Sequence, residues 1–149
     1  MKTDIQKERF KLVTFVSLIL RKHGKVLLQK RCYNEYCSLS YACPGGSIDG
    51  NESVLQAAIR EGKEELGITL QSKDLSIVHV IHFISSHGEF INFFIEANQW
   101  NGEPKVMEPE KCSTIEWFAI NALPENITVV NRQAIELSSK GIFFSEHGW

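Results

Sequence analysis

The stretch that most constrains the fold of this chain runs from Gly46 to Ile68, where a glycine-containing turn leads into a strongly acidic helical segment. Glu61, Glu64 and Glu65 are three and four residues apart, so on a helix their side chains share one patch with neighbours about 5–6 Å apart. Like charges at this spacing repel each other. Because hard divalent cations prefer carboxylate oxygens, a bound cation of this kind best explains the cluster.

The same segment predicts the limits and the buried side of the helix. Asn51 is a suitable N-cap, and Glu52 would then lie in the first turn, where the helix dipole favours an anion. Gly67 would end the helix. The expected apolar stripe consists of Leu55, Ile59, Gly62 and Leu66. At about 100° per residue this stripe falls on a different side from the glutamates, so the helix should bury one side and present carboxylates on another.

Apolar segments on both sides of this helix predict a mixed α/β domain. The expected strands cover 10–20, 25–31, 75–85, 90–97 and 114–120. The first two flank a short polar turn and should form a hairpin, and a second amphipathic helix is expected over 128–140. Strands interleaved with two helices indicate an α/β (α+β) architecture. The length of 149 residues, without a linker or repeat, suits a single domain spanning 1–149.

Composition narrows the expected partners and compartment. The net charge of −2 gives no general attraction to nucleic acid polymers or anionic membranes. The apolar run 12–20 is about half as long as a membrane-spanning helix, so no membrane segment is expected. Neither a CxxC pair nor zinc-ligand spacing occurs among the four cysteines, Cys32, Cys37, Cys43 and Cys112. Free thiols and a cytoplasmic location are therefore expected, and a Cys32–Cys37 bridge stays open.

The acidic stretch also matches a known motif, G-x5-E-x7-R-E-U-x-E-E-x-G-U, in which U is a bulky aliphatic residue. Its fixed positions are occupied by Gly46, Glu52, Arg60, Glu61, Glu64, Glu65, Gly67 and Ile68. Segment 46–68 thus resembles the Nudix box, and the chain resembles the MutT-type Nudix hydrolases over about residues 10–140. Gly62 departs from the pattern, because the family has a bulky aliphatic residue there. Since Gly62 lies in the apolar stripe, we expect close packing of the helix on the sheet rather than altered chemistry.

The resemblance implies a Nudix-type α/β/α sandwich with a mixed central sheet. It also implies hydrolysis of a nucleoside diphosphate linked to another group, with Mg²⁺ or Mn²⁺. The implied metal ligands are the carbonyl of Gly45 and the carboxylates of Glu61, Glu64 and Glu65. Arg60 and Glu52 would orient this cluster through a charge-assisted hydrogen bond, although Glu52 could instead be a simple helix-start anion. A divalent ion suits this reaction because it neutralises phosphate oxygens and lowers the pKa of an attacking water.

MutT-type enzymes draw one more glutamate from a loop after the central strands, as a metal ligand or general base. The loop here is 98–111, and its W-x-G-E-P sequence begins at Trp100. Counting forward from this anchor selects Glu108, whereas counting back from Trp117 selects Glu110. Because an insertion separates the two anchors, both stay candidates, with Glu108 preferred, and a solvated loop charge is the alternative for either.

Two further positions match MutT-type residues that contact the base. Arg31 ends the second expected strand, and Asn131 begins the last helix, where its amide could pair with a purine edge. A solvated strand-end charge and a helix-surface amide are the respective alternatives. Segment 108–117 also resembles nucleoside-triphosphate-cleaving Nudix enzymes. The resemblance therefore favours a (deoxy)nucleoside triphosphate pyrophosphatase that releases a monophosphate and pyrophosphate, with 8-oxo-dGTP as one candidate substrate.

Other functional interpretations of the same residues stay open. One is a diphosphatase for ADP-ribose, a sugar nucleotide or a dinucleotide, and another is a nucleotide sensor without activity. The intact carboxylate set argues against the sensor, and a structural calcium site is disfavoured because the spacing lacks the alternating oxygen ligands of a calcium loop. The expected partner is a small-molecule nucleotide, and the chain could be a monomer or a homodimer. The aromatic tail 142–149 could pack on the domain or on a partner subunit.

Overall fold

The computed structural model describes residues 8–32 and 39–149, in which two helices enclose a mixed β-sheet. The α/β architecture expected from the sequence is confirmed. The strands are β1 (Val13–Lys22), β2 (Lys25–Arg31), β3 (Tyr41–Ala42), β4 (Gly45–Ser47), β5 (Leu75–Ser85), β6 (Gly88–Ala97), β7 (Cys112–Ala119) and β8 (Phe144–His147). The helices are α1 (Val54–Leu66) and α2 (Val129–Ser139).

The sheet combines parallel and antiparallel pairs. β1 runs parallel to β6, β5 pairs with β6 in the antiparallel sense, and β8 adds to β5 in the parallel sense. The predicted hairpin between β1 and β2 is confirmed, but these strands pair only beside the turn, at Arg21↔Val26 and Lys22↔Lys25. β2 then leaves β1 and pairs along its length with β7, while β4 takes the place beside β1. The separation of β2 from β1 leaves space between β2 and β4, where residues of the acidic cluster lie.

β1 is buried on both faces, which accounts for its uninterrupted apolar sequence. Val16, Leu18 and Leu20 belong to the core cluster that includes residues of α1. Ile19 belongs to the cluster that includes residues of α2. Because successive strand residues point to opposite faces, the two helices cover opposite sides of the sheet.

Helix α1 begins later than the sequence analysis predicts. Its N-cap is Ser53 rather than Asn51: Ser53 Oγ accepts the Gln56 N–H at 3.1 Å, and the Gln56 side chain accepts the Ser53 N–H at 2.8 Å. This reciprocal capping box satisfies two backbone donors, whereas Asn51 lies in the preceding turn with a left-handed φ of 63°. Glu52 therefore precedes the helix and is not a first-turn anion. The predicted stop at Gly67 is confirmed by its φ of 68°.

Gly62 lets α1 approach the core closely, as expected. A Cβ at this position would lie 2.8 Å from Leu70 Cδ1 and 3.5 Å from Leu18 Cδ1. Leu70 is itself only 3% exposed. The bulky residue missing from the helix is thus replaced by a leucine from the segment that follows it.

The aromatic tail packs on its own domain through β8. His79 is fully buried beneath it, with Nδ1 2.8 Å from the Ile142 carbonyl and Nε2 2.8 Å from Ser145 Oγ. Because a carbonyl only accepts, Nδ1 carries a proton and donates to Ile142. The ring of Trp149 lies 4.8 Å from that of His82.

Two further expectations concern thiols and membranes. Cys32, Cys43 and Cys112 are free thiols, as expected. Because Cys32 is free, the Cys32–Cys37 bridge left open by the sequence is not formed, and Cys37 itself lies outside the described residues. Over 8–32 and 39–149, neither helix has the length and hydrophobicity needed to span a bilayer.

Candidate active site

The turn before α1 passes unusually close to neighbouring backbone and to a carboxylate. A Cβ on Gly45 would lie 2.9 Å from Ser17 Cα and would collide with the Val16 carbonyl oxygen, and the φ of Gly45 is 154°. A Cβ on Gly46 would collide with the carboxylate of Glu61. Glycine is therefore required at position 45 for β4 to fit against β1, whereas a side chain at position 46 would have to displace the Glu61 carboxylate.

The three glutamates of α1 lie at different depths. Glu61 is only 7% exposed, Glu65 is half-buried, and the side chain of Glu64 is 50% exposed. Helical periodicity predicts that all three share one patch on the side away from the buried stripe. Glu61 is buried because β4 covers it, a contact between distant parts of the fold that helical periodicity does not predict.

Arg60 is the common partner of the acidic residues around the start of α1. It forms two hydrogen bonds with Glu52, from Nε to Oε2 at 3.0 Å and from Nη2 to Oε1 at 2.7 Å. Its Nη1 donates to Glu61 Oε1 at 2.9 Å and to Glu64 Oε2 at 3.2 Å. The hydrogen bonds with Glu52 raise the pKa of Arg60 and lower that of Glu52. Glu52 thus fixes the guanidinium that faces the two metal-ligand candidates.

Glu65 is held differently, by neutral donors. Its Oε2 accepts the Gly45 N–H at 2.7 Å and the Gln29 Nε2–H at 3.1 Å. Burial, with a further contribution from the negative charge of Glu61, raises the pKa of Glu65 to about 7, and the Gly45 N–H opposes this shift. Burial also raises the pKa of Glu61, against the effect of Arg60.

These carboxylates border a cavity of about 390 Å³. Its acidic lining residues are Glu61, Glu64, Glu65 and Glu108, and its basic ones are Arg31 and Lys111. A larger cavity of about 530 Å³ beside α2 contains a single carboxylate, Glu136, which pairs with Arg132 at 3.4 Å. The smaller cavity is therefore the candidate active site, because it brings four carboxylates together.

The loop after β6 delivers Glu108, and not Glu110, to this cavity. The loop is tied to the end of α1 by the Met107 N–H, which donates to the Glu65 carbonyl at 3.3 Å. Glu108 is half-buried and contacts Lys111 Nζ at 2.8 Å. Glu110 is exposed and is not among the residues that line the cavity.

The two residues matched to base contacts lie in different surroundings. Arg31 lines the cavity. Asn131 does not line it: the residue is 9% exposed, its Oδ1 accepts the Cys43 N–H at 2.9 Å, and its Nδ2 donates to Thr128 Oγ1 at 2.6 Å. Asn131 is therefore a buried amide that joins α2 to the chain leading into β4, and not the surface amide given as the alternative.

Sequence reasoning missed Gln29 and Lys111. Gln29 is a buried polar residue in a strand of buried leucines, and that interruption of the apolar run was a usable signal. Lys111 gave no comparable signal, because its side chain is 70% exposed in a polar loop. Its place beside Glu108 follows from the turn at 108–112, where the Glu108 carbonyl accepts the Lys111 N–H at 2.9 Å.

The donor set fits a hard divalent cation in ligand type, because four carboxylates line one cavity. Across 8–32 and 39–149 there is nevertheless no group of three histidine, cysteine or carboxylate side chains already arranged around a metal-sized point. The reason is visible in the hydrogen bonds, since Glu61 and Glu64 turn toward Arg60 while one oxygen of Glu65 faces Gly45 and Gln29. Cation binding would have to draw Glu61 and Glu64 partly away from the guanidinium.

Comparison with known proteins agrees with this arrangement. The NUDIX domain family model matches residues 10–137. An ADP-ribose pyrophosphatase from Methanocaldococcus jannaschii is 32% identical over 126 residues, which is 83% of this chain and 73% of that protein. An 8-oxo-dGTP diphosphatase from Haemophilus influenzae is 29% identical over 118 residues, which is 77% of this chain and 85% of that protein.

A solved structure shows the same fold. The crystal structure of a MutT NUDIX hydrolase from Burkholderia pseudomallei has a TM-score of 0.78 and 29% sequence identity, and the match covers 85% of this chain and 98% of that one. The expected Nudix-type α/β sandwich is thereby confirmed. This chain belongs to the NUDIX domain family and is a MutT-like Nudix hydrolase, a pyrophosphohydrolase.

Proposed function

We propose that this chain is a divalent-cation-dependent diphosphatase whose preferred substrate is a (deoxy)nucleoside triphosphate, cleaved to a monophosphate and pyrophosphate. The observation that carries the proposal is the meeting of Glu61, Glu64, Glu65 and Glu108 in one cavity that also holds Arg31 and Lys111. Carboxylates alone would repel a polyanionic diphosphate. A cavity that combines carboxylates with basic residues suits a phosphate substrate that binds together with a divalent cation.

Mg²⁺ or Mn²⁺ is the proposed cofactor. The residues proposed to hold it are Glu61, Glu64 and Glu65, together with the carbonyl of Gly45. When bound, such an ion neutralises phosphate oxygens and lowers the pKa of a water molecule. All four proposed ligands are oxygens, which is the ligand type that hard cations prefer.

The other acidic and basic residues are proposed to orient this set and to move protons. Arg60, anchored by Glu52, holds Glu61 and Glu64 in place. Glu108 is the proposed loop carboxylate, acting as a ligand or as the base that accepts a proton from the attacking water. Glu110 is the weaker proposal because its exposed side chain lies outside the cavity lining.

Substrate contacts are proposed for two residues of unequal support. Arg31 is a cation in the cavity, suited to a phosphate or to a base carbonyl. Asn131 is only 9% exposed and its amide already bonds the Cys43 N–H and Thr128 Oγ1, so little of it is available to a base. Arg31 therefore contributes more to the proposal than Asn131.

An ADP-ribose diphosphatase is the second candidate. The specific observation in its favour is the 32% identity to a protein named ADP-ribose pyrophosphatase. Both candidates share the diphosphate and the cation, so the cavity carboxylates serve either. They differ only in what lies beyond the diphosphate.

We also propose that residues 1–149 form one domain that works in the cytoplasm. In the described part of the chain, β1 near one end and β8 near the other belong to the same sheet, which supports a single folding unit. The cytoplasmic location is supported by the free thiols at Cys32, Cys43 and Cys112.

A nucleotide panel tests the proposed function. The purified chain is incubated with Mg²⁺ or Mn²⁺ and each of dGTP, 8-oxo-dGTP, the other dNTPs, ADP-ribose, a sugar nucleotide and a dinucleotide, and products are separated by ion-exchange chromatography. The expected result is the highest kcat/KM for a nucleoside triphosphate, with pyrophosphate as product and no turnover in EDTA. A higher kcat/KM for ADP-ribose would select the second candidate, and metal-independent turnover would overturn the mechanism.

A further inference from the structure

Gln29 is a polar residue placed where the strand pattern calls for an apolar one. It follows Val26, Leu27 and Leu28 in β2, and it is as inaccessible as a core residue, with 6% exposure. Burying an amide without hydrogen bonds costs free energy, so a buried glutamine needs a partner that repays the loss of water. The partner here is Glu65, whose Oε2 accepts the Gln29 Nε2–H at 3.1 Å.

The hydrogen bond fixes one oxygen of Glu65 and leaves the other available. Gly45 N–H donates to the same Oε2 at 2.7 Å, so two donors from two strands converge on a single atom. Among the hydrogen bonds of 8–32 and 39–149, none reaches Oε1 of Glu65. The two donors thus hold the carboxylate through Oε2. The Glu65 side chain, to which Oε1 belongs, lines the cavity.

The chemistry of the donor matters as much as its position. Glu61 and Glu64 are held by Arg60, a cation that competes with any metal ion for their charge. Gln29 is neutral, so it orients Glu65 without cancelling its charge. Hydrogen-bond partners of this kind behind a metal ligand fix its orientation, and their loss typically weakens metal affinity or activity about 10–100-fold.

We infer that Gln29 is a positioning residue for cation binding, acting through Glu65. The inference rests on the proposed function, because it takes Glu65 to be a ligand of the divalent ion. Gln29 presents Glu65 Oε1 to the cavity in the metal-free protein, and the ion then finds one carboxylate already oriented while Glu61 and Glu64 rearrange.

Titration of Mn²⁺ without nucleotide, followed by the electron paramagnetic resonance signal of the free ion, tests this role. Gln29→Leu and Gln29→Met keep the size of the side chain and remove the donor, and the use of two variants guards against a folding defect in one. Asn92→Leu is the matched control, because Asn92 is another buried amide with 6% exposure whose hydrogen bond goes to Ser17 at 3.0 Å and not to Glu65. We expect the Mn²⁺ Kd to rise about 10–100-fold in the Gln29 variants and to stay unchanged in Asn92→Leu.

The melting temperature of each variant separates positioning from a structural role. If Gln29 only fills the strand, Gln29→Leu lowers Tm as Asn92→Leu does and leaves the Kd at its wild-type value, and this result overturns the inference. A second check uses Glu65→Ala, in whose background Gln29→Leu should change the Kd no further. Failure of the wild-type chain to bind Mn²⁺ would overturn the proposed cofactor site as well, whereas wild-type binding with unchanged Gln29 variants would overturn the role of Gln29 alone.

Discussion

Helices α1 and α2 each carry an arginine and a glutamate four residues apart, and the two ion pairs are alike when taken alone. Nη1 of Arg60 lies 3.2 Å from Oε2 of Glu64, and Nη1 of Arg132 lies 3.4 Å from Oε1 of Glu136. The two glutamate side chains are 50% and 49% exposed. An exposed pair of this kind contributes about 0.3–0.5 kcal/mol on a helix, so neither pair is a strong stabilising feature in itself.

The surroundings of the two pairs differ. Arg60 also binds Glu52 and the buried Glu61, and so connects a surface glutamate to an acidic cavity. Arg132 instead donates to the Pro124 carbonyl at 2.7 Å and ties α2 to the preceding loop. An arginine–glutamate pair on a helix of this chain therefore marks a candidate site only where its charges are continued by buried charged groups. On α1, Arg60 continues the pair to the buried Glu61. On α2, Arg132 instead connects the helix to the Pro124 carbonyl in the preceding loop.

The largest expected effect comes from neutralising each of the two glutamates. Glu64→Gln should lower kcat about 10²–10⁴-fold with little change in Tm, because it removes a proposed ligand of the divalent cation, and such an ion supplies several kcal/mol of charge stabilisation in the transition state. Glu136→Gln, matched in exposure and in its arginine partner, should leave kcat unchanged. Steady-state kinetics on the best substrate of the panel checks both, and wild-type turnover by Glu64→Gln would remove that residue from the mechanism.

The side of the sheet that α2 covers should show the opposite response. His79→Leu removes two buried hydrogen bonds that hold the tail, to the Ile142 carbonyl and Ser145 Oγ, and should lower the free energy of unfolding by about 1–3 kcal/mol. Because His79 is remote from the carboxylate cavity, kcat and the metal Kd should persist in the folded fraction. Urea unfolding measures the first quantity, and a loss of kcat without a loss of stability would show that the two sides are not separate.

Gly62 offers a way to disturb the packing of α1 without touching a carboxylate. Gly62→Val would push into Leu70, whose Cδ1 lies 2.8 Å from the position of a Cβ, and overpacking of this kind costs about 1–3 kcal/mol. Leu70→Ala in the same chain should recover part of the loss by vacating the space. A double-mutant cycle on the free energy of unfolding measures this coupling, and strict additivity would contradict the contact.

The last expected effect is a pH dependence confined to the α1 side. Burial raises the pKa of Glu65 to about 7 from 4.5, so in this window the folded chain keeps a proton that the unfolded chain has lost. The free energy of unfolding of the metal-free protein should therefore fall as pH rises from about 4.5 to about 7, and this contribution should level off above pH 7.

Metal affinity should change in the opposite direction over the same range. Because the ion binds the deprotonated carboxylate, the Mg²⁺ Kd should increase up to about tenfold for each pH unit below 7. Calorimetric titration at several pH values checks this, with Glu65→Gln as the control that lacks the group. An identical pH slope in wild type and Glu65→Gln would assign the effect to another residue.

The sequence predicts most of the fold, and places the candidate site on α1, for local reasons. β5 was predicted at its observed limits, 75–85, because its apolar run is bounded by polar turns. The end of α1 at Gly67 follows from the tolerance of glycine for a left-handed backbone. The N-cap predicted for α1, Asn51, was wrong. Asn51 and Ser53 are both able to cap a helix, and only the Gln56 side chain and the backbone of the turn decide between them.

The features of the site that the sequence does not predict depend on contacts between distant segments. Glu61 is buried by β4 and Glu65 by its contacts with Gln29 and Gly45, and no periodicity in α1 encodes either. Glu108 and Glu110 could not be separated by counting along a loop, because hydrogen bonds to α1 determine which of them reaches the cavity.

The central claim is that the cavity bounded by Glu61, Glu64 and Glu65 holds a divalent cation. Anomalous diffraction at the manganese absorption edge, from crystals grown with Mn²⁺ and a non-hydrolysable nucleotide, tests it most directly. We expect an anomalous peak in this cavity, within coordination distance of Glu65 Oε1 and at least one oxygen of Glu61 or Glu64. A cavity without an anomalous peak at saturating Mn²⁺, or an ion bound only elsewhere on the chain, would contradict it.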